Sequence, residues 1–355
     1  MSFRVEPVDV EDLRVRVHKT LDDLLARQSD VLESASEDLV PLMDTVSDLL
    51  RRGKRLRAAF CYWGWRGADG EDCGGIVSVA AALELFQAAA LIHDDVMDDS
   101  DTRRGRPAVH RHFASLHRGN GWLGSPEDFG VAGAILAGDL CLSWCDELYA
   151  GADLPADRLT AGRAVFDRMR TELMCGQYLD MLEQVLASTS VERARRVILF
   201  KSAKYSVQQP LLLGGTLAGA PTGLLSTYDV YGRALGEAFQ LRDDVLGVFG
   251  DPDTTGKPAG DDLREGKRTV LVAVTLERCS PAQASMLRRD LGDRHLDADG
   301  VARLREVIAG SGALDVVESM ITEQSDRAMA ALEPVGEPAR TVLERLVVAA
   351  TSRTQ

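Results

Sequence analysis

Aromatic residues are scarce in this chain, at 5 % of its 355 residues. Long β-branched alternation punctuated by hairpin turns is missing as well, and alanine and leucine dominate. That composition disfavours sheet and favours helix. Basic residues are in deficit: Lys and Arg number 41 against 55 Asp and Glu, a formal net charge of −14. An acidic surface argues against nonspecific nucleic-acid binding. The six cysteines show no zinc-type pairing. Cys141 and Cys145, four apart, are expected as buried thiols on one helix face of a reduced, cytoplasmic protein. The N-terminal MSFRVEPVDVEDLR is acidic and lacks an apolar core, so no signal peptide is expected. The apolar run 76–92 spans 17 residues, contains Glu84 and Gln87, and ends in aspartates. It is short for a transmembrane segment, and lipid would not accept those aspartates; a buried core helix is expected instead.

What the chain does have is helical periodicity. Leu13, Val17, Leu21 and Leu24 recur at helical spacing, as do Val165, Met169 and Leu173, and Leu343, Leu346, Val347 and Ala350. Its length exceeds the roughly 250–300 residues of a usual single core, so two domains or one large helical domain are both open. The main interruptions, 118–130 and 250–262, do not resemble flexible linkers, and no internal repeat is convincing. The reading is one all-α domain over 1–355, of about ten to thirteen helices.

The basic residues form islands, RRGKRLR at 51–57 and RRGR at 103–106, which suit a small anionic ligand better than a polymer. Directly before the second island, five aspartates fall between Asp94 and Asp101. On a helix Asp94 and Asp98 share a face, with Asp95 beside them, and like charges so placed repel. Such a cluster is either a hard-oxygen site for Mg²⁺ or a solvated helix end. A second apolar run ends in Asp243 and Asp244, followed by a Gly/Lys loop. Two such pairs with nearby cations point to a diphosphate carried on an apolar tail.

Taken in order, these motifs resemble the polyprenyl synthetase family, the trans-type isoprenyl diphosphate synthases. The resemblance covers roughly Leu49 to Lys267. It is carried by GKRLR at 53–57, LIHDDVMDDSDTRRG at 91–105, GQYLD at 176–180, KSAKYS at 201–206 and FQLRDDVLGVFGDPDTTGKPAGDD at 239–262. It implies an isoprenoid-synthase helical bundle around a central diphosphate-binding cavity. It also implies a homodimer, and about three Mg²⁺ per site once diphosphate is bound. Asp94 and Asp98 are implied metal ligands with Asp95 in support, and Asp243 holds a further Mg²⁺ with Asp244 beside it. Arg103, Lys201 and Lys257 are implied on the allylic diphosphate (dimethylallyl, geranyl or farnesyl). Lys54, Arg57 and Arg104 are implied on isopentenyl diphosphate, with Gln87 where many relatives carry histidine. Gln177, Asp180, Gln240 and Lys267 complete the polar shell, and Tyr205 lies near the reacting carbons.

The implied reaction is head-to-tail condensation, with the glycine-bearing loop 250–262 and Lys257 closing as a lid. Two positions depart from the family pattern. Gly247 replaces the third aspartate of the second motif, with Asp251 about a turn further on, and Arg52 stands where a glycine is common. Gly247 keeps open the alternative of a noncatalytic regulatory subunit. A terpene cyclase is the other rival, and it would leave Lys54 and Arg57 without a purpose. Arg51 and Arg55 are expected to be solvated, His110 and His112 to lie at the surface or cap a helix, His93 to be packed or hydrogen-bonded, and Gly138 to serve helix packing.

Product length is read from the helix before Asp94. In the family, bulk four and five positions upstream floors a C15 product. Here those positions are Ala90 and Ala89, and the next large side chain is Phe86. That adds about 5–6 Å of depth, roughly one isoprene unit. Geranylgeranyl diphosphate, C20, is the expected main product, with farnesyl or longer polyprenyl products as alternatives.

Overall fold

The computed structural model describes residues 11–250 and 260–351. Among these the chain is all-α, with sixteen α-helical segments and one two-stranded hairpin. The number exceeds the expected one because several segments, such as Asp261–Glu265 and Val191–Val197, are too short to show a periodicity. The chain divides into two compact units. The first is Met1–Gly162 with Leu213–Gly219, and the second is Arg163–Leu212 with Ala220–Gln355.

The first unit contains α1 (Leu13–Ala35), α2 (Val40–Leu50), α3 (Leu56–Arg66), α4 (Gly74–Met97), α5 (Val109–Asn120) and α6 (Pro126–Ala150). Helix α4 is apolar on every side, and Ile76, Val79, Leu83, Leu85 and Phe86 are each at most 1 % exposed. A helix with no polar face belongs in a core. At 24 residues α4 is longer than its apolar run, and α4 and α6 are both long and apolar enough to cross a membrane on length and composition alone. Within the protein, 78 % of the α4 window and 39 % of the α6 window are buried. Gly138 of α6 serves packing: a Cβ there would meet His93 Nε2 at 2.1 Å, and that nitrogen lies 3.2 Å from the Ile135 carbonyl oxygen. Cys141 and Cys145 are buried, and burial pushes the Cys141 thiol up to about 12.

Two helices, α7 (Ala156–Val185) and α9 (Gln209–Ala218), have residues in both units. The second unit holds α8 (Val191–Val197), a π-helical stretch (Ile198–Gln208) and α10 (Thr222–Phe249). Downstream come α11 (Asp261–Glu265), α12 (Val270–Arg278), α13 (Pro281–Asp290), α14 (Ala298–Gly310), α15 (Ala313–Ala331) and α16 (Ala339–Thr351). Its core joins Val245 and Val248 of α10 to Leu271 of α12, Leu304 and Ile308 of α14 and Val317 of α15. Arg242 ties α10 to α15 by a two-pronged pair with Glu318, both contacts at 2.6 Å. The planar guanidinium matches a carboxylate in this geometry.

Candidate active site

In the first unit the aspartates sit where α4 ends. Asp94 and Asp95 are in its last turn, and Asp98 caps it, donating its N–H to the Asp94 carbonyl at 2.8 Å. The three carboxylates have different surroundings. Asp95 is 2 % exposed and clamped by Arg103, whose Nε donates to Oδ1 at 2.9 Å while Nη2 donates to the same oxygen. The Asp94 side chain is 20 % exposed, with Oδ2 3.7 Å from Arg103 Nη2. Arg103, read as a diphosphate ligand, is thus already engaged by the aspartates.

Arg103 belongs to a hairpin that pairs Thr102 with Pro107 and Arg103 with Arg106. Arg104 and Gly105 form its turn with φ of 55° and 73°, the positive values a two-residue type I′ turn needs. Arg104 Nη1 donates to the Arg52 carbonyl at 2.6 Å. Its guanidinium lies against Gly53, where a Cβ would stand 3.3 Å from Nη1. Desolvation pushes that guanidinium down; Glu84 opposes the shift, and Arg55, Arg103 and Arg57 add to it.

Arg55 corrects the sequence reading. It was expected in solvent, yet it is 4 % exposed. Its Nη1 lies 3.3 Å from Glu84 Oε2, and Nη2 donates to the Leu50 carbonyl. Glu84 Oε1 accepts from the Ala58 N–H at 3.3 Å, meeting one of the unpaired donors at the start of α3. Arg51 does remain exposed, paired with Asp48 at 3.1 Å. Lys54 is exposed and Arg57 partly so. Gln87, three residues after Glu84, is 9 % exposed, and its Oε1 is buried without a hydrogen-bond partner. Phe86 and Ala89 are each 1 % exposed, whereas Ala90 is partly exposed. His110 is a second correction. Rather than lying at the surface, it is 4 % exposed with neither ring nitrogen hydrogen-bonded, because α5 turns it inward beside Phe113 and Ala114. His112 is exposed.

In the second unit, Gly176 lets α7 approach the π-helical stretch. A Cβ there would stand 2.3 Å from the Lys201 backbone nitrogen. One turn on, Asp180 reaches Lys201 Nζ at 2.6 Å. KSAKYS lies entirely within the π-helical stretch, a rare geometry that recurs at functional sites. There Lys204 pairs with Glu172 at 2.6 Å, and Tyr205 is 6 % exposed. Gln177 is partly exposed.

Helix α10 carries the second aspartate pair. Asp243 is exposed and Asp244 is 6 % exposed, with Gln240 Nε2 donating to Asp244 Oδ1 at 2.8 Å. Burial raises the Asp244 carboxyl well above the usual range; Gln240 and Lys267 oppose this, while Asp262 and Asp243 add to it. Lys267 Nζ sits 3.0 Å from Asp262 Oδ1 and 2.8 Å from Glu265 Oε2. A Cβ on Gly247 would meet Asp262 Oδ2 at 1.8 Å. Lys257, Asp251 and the greater part of the expected lid lie outside the described residues.

Among the described residues no three acidic, His or Cys groups converge as a ready-made cage. The negative crowding around Asp244 is the environment a cation would relieve. Sequence reasoning passed over Glu84 and Glu172 and gave Asp262 no role. For Glu84 the signal was available: an acid inside an apolar run requires a partner.

A family model described as polyprenyl synthetase matches residues 40–308. The chain is 32 % identical over 287 residues to a short chain isoprenyl diphosphate synthase of Methanothermobacter thermautotrophicus, covering 80 % of this chain and 81 % of that protein. It is 32 % identical over 301 residues to a geranylgeranyl diphosphate synthase of Mycobacterium tuberculosis, covering 83 % and 79 %. Among solved structures, geranylgeranyl pyrophosphate synthase from Corynebacterium glutamicum, complexed with isoprenyl diphosphate and magnesium, superimposes with a TM-score of 0.92 at 39 % identity, covering 95 % of this chain and 97 % of that one.

Proposed function

The chain belongs to the polyprenyl synthetase family, and on that premise we propose that it condenses isopentenyl diphosphate head-to-tail with an allylic diphosphate, giving mainly the C20 product. The observation that carries this reading is the carboxylate cluster at the end of α4. Asp95 is buried and held by Arg103, which fixes the hairpin beside Asp94 and Asp98, and Asp94 lies 3.7 Å from the same guanidinium.

Bound Mg²⁺, three ions in this reading, supplies Lewis acidity toward the departing diphosphate. Asp94 and Asp98 at the end of α4 would hold cations, and Asp243 of α10 would hold one. Arg103, Lys201 and Lys257 bind the allylic diphosphate and stabilise its developing charge. As the allylic C–O bond breaks, its electron pair leaves with the diphosphate. Lys54, Arg57 and Arg104 hold the isopentenyl diphosphate, and the buried amide of Gln87 orients it. The isopentenyl double bond forms the new C–C bond, and the proton then lost passes to the released diphosphate. Tyr205 and the apolar faces around it exclude water, which would quench the cation.

The same reading keeps the chain as a single isoprenoid-synthase domain acting as a homodimer without a transmembrane segment. Phe129, Val131, Ile135 and Leu136 leave a row of apolar groups exposed on α6, which a second copy would cover. The test is purified protein with Mg²⁺, labelled isopentenyl diphosphate and farnesyl diphosphate. Elongated product supports the synthase. Hydrocarbon release would make it a cyclase, and silence until a second protein is added would make it a regulatory subunit.

A further inference from the structure

The second aspartate motif reads DDVLG, and Gly247 stands four residues after Asp243, on the same face of α10. The space that a side chain at 247 would enter is filled. Its Cβ would lie 1.8 Å from Asp262 Oδ2, 2.5 Å from Cγ and 3.3 Å from Oδ1. The intruding group is a carboxylate carried on α11.

Asp262 is fixed in that place. Gly260 and Gly266, with φ of 74° and 78°, bracket α11. Leu263 is fully buried, and its carbonyl accepts from the Gly292 N–H at 2.9 Å. The Asp262 carbonyl accepts from the N–H groups of Gly266 and Lys267, both at 3.1 Å. The two carboxylate oxygens are divided: Oδ1 faces Lys267 at 3.0 Å, and Oδ2 points at Gly247. One oxygen therefore has a cation, and the other is turned toward the face that carries Asp243.

We propose that Asp262 supplies, from α11, the third carboxylate that the second motif lacks at Gly247, and that Gly247 is bare because the Asp262 carboxylate occupies its side-chain space. Asp262 would act as a positioning residue, through water, toward the cation that Asp243 would hold, since Mg²⁺ commonly keeps several waters. Groups one shell out from a metal typically change its affinity by about 10–100-fold. This inference rests on the proposed synthase reading.

The test is Mg²⁺ titration of the full chain in the presence of inorganic diphosphate, read as thermal stabilisation, with product formation alongside. Asp262→Asn should raise the Mg²⁺ midpoint about tenfold or more. Gly247→Ala should raise it too, by displacing the carboxylate, although alanine favours helix and would by itself stabilise α10. Adding Gly247→Asp to Asp262→Ala, which clears the space at 247, should return the midpoint toward wild type. If Asp262 only braces Lys267, Asp262→Asn will lower stability without Mg²⁺ and leave the midpoint in place, which overturns the proposal. A double variant no better than Asp262→Ala also overturns it. Wild-type protein that neither responds to Mg²⁺ with diphosphate nor makes product removes the synthase reading and this inference together. A normal wild-type response with an unmoved Asp262→Asn midpoint removes only the inference.

Discussion

Arg55 and Glu84 meet as an ion pair inside the first unit, 3.3 Å apart, with side chains 4 % and 6 % exposed. Removing one member leaves the other charge buried and uncompensated, whereas replacing both by apolar groups can be neutral. Glu84→Ala should therefore destabilise the protein by about 3–5 kcal/mol in urea unfolding. Arg55→Met combined with Glu84→Leu should recover most of that loss. Equal stability for the single and double variants would show that the orphaned Arg55 charge is not the source of the loss.

Asp94→Ala should abolish turnover with Mg²⁺ present while leaving the helical circular dichroism unchanged, since its side chain is partly exposed at a helix end. Near-normal product formation by this variant would end the assignment of Asp94.

Ala89→Phe should shift product to C15, and Phe86→Ala should give chains beyond C20. Both positions are tightly packed, so the added bulk should itself destabilise by about 1–3 kcal/mol and the truncation by about 3–5 kcal/mol. Product chromatography is to be run well below each variant's Tm. Unchanged profiles in both would mean that Phe86 is not the floor.

Burial holds His110 below its usual value of 6.5; Arg111 adds to the shift, while Asp99 and Asp101 oppose it. With the folded value depressed, acid protonates the unfolded chain first. The stability associated with neutral His110 is present above about pH 6.5 and is lost as pH falls through the folded value. Tm should decline below pH 6.5, and His110→Leu should flatten part of that decline. Identical pH profiles would place the acid sensitivity elsewhere.

Light scattering should give about twice the 38.5 kDa chain mass. Leu136→Glu, placed on the exposed apolar row of α6, should shift the population to monomer. A fully active wild-type monomer would contradict the dimer.

The helical class and the buried character of α4 were legible because periodicity and apolar content are local properties. The aspartates at 94–98 and 243–244 were legible as clusters of like charge at the ends of apolar runs. Arg55 was not, because RRGKRLR looks uniformly solvated until Glu84, 29 positions on, is folded against it. His110 was misread because its neighbours His112 and Arg111 are polar, while α5 turns it inward. Asp262 lay in plain view, but its relation to Gly247 depends on how α11 is laid beside α10, which no spacing along the chain encodes.

The π-helical stretch has a consequence for chain register. Over the 11 residues from Ile198 to Gln208, backbone bonds link i to i+5, where an α-helix links i to i+4. One turn on from Lys201 is therefore Ser206 and not Tyr205. The segment behaves as though one residue had been inserted and absorbed by widening the coil. A chain shortened by Ala203 could wind as plain α-helix with Ser206 still one turn on from Lys201, now four residues along. Removing Ala203 should therefore narrow the coil and keep Lys201 on the face that meets Asp180, whereas the same deletion inside an α-helix would turn one side of it by about 100° against the other.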